Sequence, residues 1–247
     1  MKLNEFLIAR AKMESIAERQ MVIRMRRAFR KTLEPLYESA SLGLLISTEQ
    51  AKTLLKPTFI EEELKWLYVT WGYRMLVFFR SNFEPERKDD FWLRRLAELF
   101  TTKGAKKVTE IFNTTLNLAI PAIQEAISLA NTGSSIDVIQ KAIKNNVESS
   151  GGLMSMGRAR TIARTEVISA SNIASFEAMR GENQKVEKRW ITGGANIRDS
   201  HINAEQEGWI PMDEKFLSTN MMHPGDPDGE AAEVINCKCT LVYRYVD

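Results

Sequence analysis

The sequence predicts an α+β protein. A mainly helical N-terminal region is followed by a small C-terminal domain in which a long helix packs on a short antiparallel sheet. Three observations predict it. Apolar residues recur at helical steps through the first part of the chain, and no convincing strand pattern appears before residue 150. The punctuation changes at Ser149-Ser150-Gly151-Gly152. Alternating, strand-like stretches appear only beyond it. The expected division is residues 1–148 and residues 149–247.

The elements follow in order. Leu3 to Glu34 reads as one long amphipathic helix, with Phe6, Met13, Ile16 and Ile23 at helical steps and Pro35 to end or kink it. Ser47 with Gln50 and Thr58 with Glu61 have the pattern of capping boxes and start two more helices. The second of these is crowded with aromatics, Phe59, Trp66, Tyr68, Trp71, Tyr73, Phe78 and Phe79, a density that points to packing. Glu84-Pro85 breaks it. Further helical patterns run from Asp90 to Phe100, from Ala105 to Ala130 with Pro121 inside, and from Ile136 to Val147. After the Ser-Ser-Gly-Gly linker comes a long helix, Met156 to Arg180, with Gly181 as its C-cap. Val186 to Thr192, Gly208 to Pro211 and Thr240 to Tyr245 are the strand candidates. Between Leu217 and Ile235 lies a loop rich in Gly, Pro and Asp, long enough to need something that ties it down.

Bulk properties narrow the class. Hydrophobic content of 44% and charged content of 27% are ordinary for a folded domain. A net charge of +2 excludes a chain that seeks polyanions with its whole surface. Two cysteines do not make a disulfide framework, so a reducing cytosol is the natural compartment. No apolar signal core follows Met1. The most apolar segment, Trp66 to Phe79, is interrupted by Arg74 and is expected to be a buried helix, since a span needs about 20 apolar residues. Basic residues concentrate locally at Arg24, Arg26, Arg27, Arg30 and Lys31. Two readings of that run stand: a solvated helix face, or a contact with nucleic acid or an acidic partner.

All the histidine and cysteine of the chain, His201, His223, Cys237 and Cys239, lies near the C-terminus. Two imidazoles and two thiolates can complete one tetrahedral zinc shell. Cysteines two apart share a face on a strand, and a turn would also bring both sulfurs together. A zinc ion held by all four would pin the long loop to the last strand. The spacing is Cys-x-Cys rather than the usual Cys-x-x-Cys clamp. A hydrogen-bonded cluster of buried side chains stands beside the zinc reading, and catalysis is a third. For catalysis, Arg160 and Arg164 share a helix face, and Glu166 or Asp199 would orient His201 as a general base near Arg198. The same Arg160, Arg164, Glu166, Arg198 and Asp199 would equally form a polar network locking helix to sheet. The sequence holds no Gly-rich phosphate loop, no nucleophile elbow and no His-Glu-x-x-His.

An ordered series of words in this region resembles a known family. It opens with Ala163-Arg164-Thr165-Glu166 and Asn172. Trp190, Arg198-Asp199-Ser200-His201, Gly208 and Phe216 follow. It closes with His223-Pro224-Gly225-Asp226-Pro227 and Asn236-Cys237-Lys238-Cys239. The series is similar to the phage head morphogenesis domain family, typified by the minor head protein F of phage Mu, and covers roughly residues 135 to 243. Lys238 stands where the family word has arginine, keeping the charge without the planar fork. The resemblance implies a minor structural protein of a tailed-phage head, and the absence of a standard catalytic motif favours a non-enzymatic role. Such a protein acts in procapsid assembly near the portal and is retained inside the head. Residues 1–148 would then dock on portal, scaffold or other head proteins, and genomic DNA would be a weak, non-specific contact. The expected locations are the host bacterial cytoplasm during assembly and then the virion, with no membrane association. Two other functions remain open on sequence grounds: an enzyme, a nuclease or host-modifying transferase using the C-terminal His/Glu/Arg group, and a DNA-binding packaging or ejection factor.

Overall fold

The structure is a computed structural model. It describes residues 3–41, 47–83, 89–135, 137–139, 141–142, 145, 155–180 and 185–246. The Ser149–Gly152 linker, the Glu84-Pro85 break and the Gly181 cap lie outside the described residues, as do parts of the Ile136 to Val147 helix. The chain divides into two compact units that interleave in sequence. The first comprises Met1–Met21, Lys65–Gly104 and Thr161–Asp247, and the second Val22–Leu64 and Ala105–Arg160.

Helix α1 spans Leu3–Ser41 and passes through Pro35 instead of ending there. Proline removes one intrahelical N–H. Leu33 and Leu36, buried on either side, supply apolar contacts that carry the helix past it. The capping box at Ser47 forms as expected, with Gln50 N donating to Ser47 Oγ at 3.2 Å and Ser47 N to Gln50 Oε1 at 2.7 Å, and starts α2, Thr48–Leu54. Thr58 instead lies inside the first turn of α3, Thr58–Trp66, where Glu61 N bonds Pro57 O.

In the second unit, Met25, Phe29 and Leu33 of α1 and Ile60 and Leu64 of α3 are buried. So are Val108, Thr115, Ala119 and Ala122 of α6, Ala105–Asn131, which runs unbroken through Pro121. Arg158 lies 4.3 Å over the Phe29 ring and donates to Thr115 Oγ1 at 2.9 Å.

The first unit carries the sheet. A π-helical turn, Leu67–Trp71, follows α3 and leads into α4, Gly72–Phe83. A second, Phe100–Gly104, follows α5, Asp89–Leu99. Neither was expected. The first has a clear effect, since such turns re-aim side chains. Tyr68 donates to Glu166 Oε2 at 2.8 Å, and Trp71 Nε1 donates to Ser171 Oγ at 3.1 Å. Both acceptors lie on α7, Met156–Arg180, the expected long helix. The aromatics thus pack as predicted, but they also anchor α7 through its polar side chains. Phe6 of α1 packs edge-on to Phe79, and Phe79 edge-on to Tyr243, whose hydroxyl meets Ser175 Oγ at 3.1 Å.

Three antiparallel strands, β1 (Val186–Ile191), β2 (Trp209–Pro211) and β3 (Thr240–Tyr245), lie in the order β2-β1-β3. Val186, Lys188 and Trp190 face inward along β1, as the period of two requires. Two helices interrupt what the sequence offered as a plain segment and a loop: α8, Asp199–Gln206, and α9, Ala231–Val234. No helix among the described residues is long and apolar enough to cross a membrane.

Candidate metal centre

His201, Cys237 and Cys239 come together in the first unit, all three buried. Each is delivered by a local feature. Arg198 is extended at the N-terminus of α8, so His201 falls in the first helical turn and packs 5.1 Å from the Trp190 ring. Asn236 holds the left-handed conformation (φ 62°) after α9, a region that asparagine tolerates better than most residues. The two cysteines sit in the turn that leads from Asn236 into β3. Gly193, after β1, closes the site from the other side. A Cβ there would collide with the Lys238 carbonyl oxygen, so only glycine lets the loop lie on the Cys-Lys-Cys turn.

The spacing suits a metal. His201 Nδ1 is 3.3 Å from Cys239 Sγ and 3.8 Å from Cys237 Sγ. Tetrahedral zinc with ordinary bond lengths puts nitrogen and sulfur ligands about 3.6 Å apart. The neighbours of Cys239 favour its thiolate. Cys239 N donates to Cys237 Sγ at 3.3 Å. The Cys237 thiol hydrogen-bonds the Cys239 sulfur and, with His201 and the Gly193 N–H, holds the Cys239 pKa well below that of an ordinary thiol. That same bond, together with burial, pushes Cys237 up. A metal would displace the shared proton. Three protein ligands leave a fourth position on a tetrahedral ion for water or a further ligand.

The expected fourth ligand, His223, stands apart. Its Nδ1 meets Pro224 O at 3.1 Å, its ring lies 5.4 Å from Phe176, and burial lowers its pKa. The His-Pro-Gly-Asp-Pro loop is tied down without a metal. Asp226 accepts from Met222 N at 2.9 Å and from Asp228 N at 3.0 Å. Gly225 (φ 73°) presses on Ser169 of α7, where a Cβ would come within 2.9 Å of the serine Cα.

The polar residues expected to form one network are spread over separate contacts. Arg164 pairs with Glu18 at 3.0 Å and donates to Asn236 Oδ1 at 2.8 Å. It is half-buried rather than deeply buried. Arg198 donates to Ile235 O at 2.6 Å. Thr165 Oγ1 accepts from Asn236 N, and Asn172 Nδ2 donates to Cys239 O at 3.1 Å. Glu166 faces Tyr68, while Arg160 and Asp199 are exposed. The arginines therefore grip oxygens of the chain entering the Cys-Lys-Cys turn instead of Glu166 and Asp199. A guanidinium offers five donors, and oxygens fixed by a turn satisfy them as well as a carboxylate does. His201 has neither Glu166 nor Asp199 as its close partner. Its Nε2 lies 2.9 Å from Glu233 Oε2, ion-pair distance, though not aligned as a hydrogen bond.

The basic run belongs to α1 in the second unit. Arg24 pairs with Glu63, Lys31 lies 5.1 Å over Phe59, Arg26 is half-buried, and Arg27 and Arg30 are exposed.

Sequence reading missed three residues of the first unit. Glu233 sits on a four-residue helix inside a supposed loop, which leaves no periodic signal. Arg10, 1% exposed, donates to Glu14 Oε1 at 2.8 Å and to Asn172 Oδ1 at 2.7 Å. Its sign was available: it lies four residues after Phe6 and seven before Ala17, both buried on the same face. Lys188 is fully buried on β1, with Nζ donating to Met212 O at 3.1 Å and Met222 O at 2.9 Å, between the Phe176 and Phe216 rings. Its inward register was legible from the alternation of Val186 and Trp190 around it.

Burial lowers the Lys188 pKa from 10.5 to about 8, against the opposing pull of Asp226, Asp213 and Glu214. Between those values the unfolded chain holds a proton that the folded chain has released, so unfolding free energy rises with pH. Denaturant titrations from pH 8 to 10 are expected to show this rise, and Lys188→Met to flatten it.

An α+β module with a buried His/Cys/Cys group able to hold a metal, gripped by a long helix and a three-stranded sheet, is the class that fold and site define. Residues 122–242 match the family model described as Phage Mu protein F like protein, so this part of the chain is similar to that family. The "Uncharacterized protein YqbB" of Bacillus subtilis (strain 168) is 28% identical over 157 residues, 61% of this chain and 45% of the relative. The chain thus spans less than half the length of that curated relative. No solved structure matches.

Proposed function

We propose that this protein is a minor head protein of a tailed phage, acting in procapsid assembly beside the portal and remaining inside the head. The family match over residues 122–242 carries the reading. The geometry supports it, because the motif words serve to hold one turn in place. Arg164, Thr165, Asn172 and Arg198 all bond residues 235–239. A group arranged this way stabilises a module and leaves no nucleophile–base pair built from Glu166 or Asp199 with His201. We therefore read the protein as non-enzymatic. Zinc held by His201, Cys237 and Cys239 would bind α8 to the start of β3 and add folding free energy to a small module. In this reading residues 1–148 dock on portal, scaffold or other head proteins in the host cytoplasm, and residues 149–247 form the head-morphogenesis module.

The genome is the secondary contact. Arg24 and Lys31 are engaged within the chain, which leaves the exposed Arg27 and Arg30 as the stronger candidates for phosphate. DNA binding should be weak and steeply salt-dependent, each phosphate contact adding roughly −0.9 to the log–log slope. The portal contact should tolerate salt. Replacing Arg24, Arg26, Arg27 and Arg30 together with Gln is expected to abolish DNA retention at low salt while leaving incorporation into heads intact. Loss of incorporation with portal binding preserved in vitro would put DNA first and overturn this ranking.

A further inference from the structure

The ring nitrogen of His201 that faces away from the sulfurs lies at ion-pair distance from a carboxylate, and this placement points to a role for Glu233. We infer that Glu233 is a positioning residue for the metal centre. With an ion on Nδ1 the imidazole proton lies on Nε2, and Glu233 is placed to accept it. The inference rests on the zinc reading above and deepens it.

The imidazole has two faces of use. Nδ1 looks at both sulfurs, at 3.3 and 3.8 Å. Nε2 looks at Glu233 Oε2, at 2.9 Å. A metal-bound imidazole almost always gives its other N–H to an oxygen, most effectively a carboxylate, which fixes the tautomer and makes the ligating nitrogen more basic. The carboxylate is itself held. Ser200 Oγ donates to the same Oε2 at 2.8 Å, so the residue before His201 fixes the oxygen that its ring nitrogen approaches. The helix bearing Glu233 also ends at the sulfurs. Cys237 N donates to Val234 O at 3.3 Å, so the carboxylate and the first thiolate move as one short piece of chain. Glu233 is the residue of that piece whose side chain reaches the far side of the ring, and its carboxylate is 24% exposed, so its replacement does not hollow out the core.

Cobalt(II) alone, titrated into the reduced full-length protein, is the test, because its thiolate charge-transfer and d–d bands report ligand set and geometry. The parent should bind one ion with a tetrahedral thiolate spectrum. Glu233→Ala should weaken cobalt binding by roughly 10- to 100-fold. Glu233→Gln, which keeps an oxygen acceptor without the charge, should fall between, and Ser200→Ala should show a smaller loss in the same direction. Each variant should melt with the parent in chelator, which separates positioning from general stability. If the parent binds and all three variants match it in affinity and spectrum, the positioning role is wrong while the zinc reading stands. If the parent takes up neither cobalt nor zinc, both are wrong.

Discussion

Replacing Cys239 with serine is expected to strip the metal from the purified chain and to destabilise the Mu F-like module. Cys237→Ser should do the same. A hydroxyl is a poor substitute for a thiolate on zinc, and the site has three protein ligands to begin with, so losing one leaves too few to hold the ion. Metal binding free energy in such a site is folding free energy. The loss should therefore appear as a drop in melting temperature that chelator reproduces in the parent and does not deepen in the variant. Elemental analysis of the reduced, untagged parent should find about one zinc per chain. His223→Ala is the contrast. It should keep the metal, because His223 lies against Phe176 and Pro224 and not among the ligands.

Arg10→Ala should cost on the order of 3–5 kcal/mol of unfolding free energy, as removal of one partner of a buried ion pair does. The guanidinium is buried between Glu14, Asn172 and the face of Phe79. Its loss leaves the Glu14 carboxylate, 14% exposed, without its partner, and removes a donor from Asn172 Oδ1. The effect reaches the candidate site, since the amide of Asn172 donates to Cys239 O. Guanidinium denaturation of the two proteins measures it. Arg27→Ala, on the exposed face of α1, should stay within about 0.5 kcal/mol of the parent. If the Arg10 variant also stayed within that margin, the buried pair would not be holding the first unit together.

The elements read best from sequence are those whose pattern is long or strictly alternating. The bounds of α7 and β3 match the expected Met156–Arg180 and Thr240–Tyr245, while the strict alternation is seen in β1. Pro35 and Pro121 misled or were neutral for opposite reasons. Each removes one hydrogen bond, but buried neighbours on both sides outweigh that loss. The π-helical turns left no mark, since one inserted residue changes which way Tyr68 and Trp71 point without changing their type. At the site, composition singled out His201, Cys237 and Cys239, but spacing along a loop does not fix a direction in space. That is why His223 was grouped with them and Glu233 was not. The arginines were expected to meet Glu166 and Asp199, and the structure gives them other contacts. Arg164 and Arg198 bind Asn236 and the Ile235 carbonyl, contacts set by a left-handed turn that no charge pattern encodes.

The central claim is that this chain is a structural component of a phage head. Quantitative mass spectrometry of density-purified heads, treated with protease before opening, tests it most directly. The account predicts the chain in the particles, in few copies per portal, protected until the shell is breached. Its absence from intact heads and procapsids alike, with the chain abundant in the lysate, would contradict it.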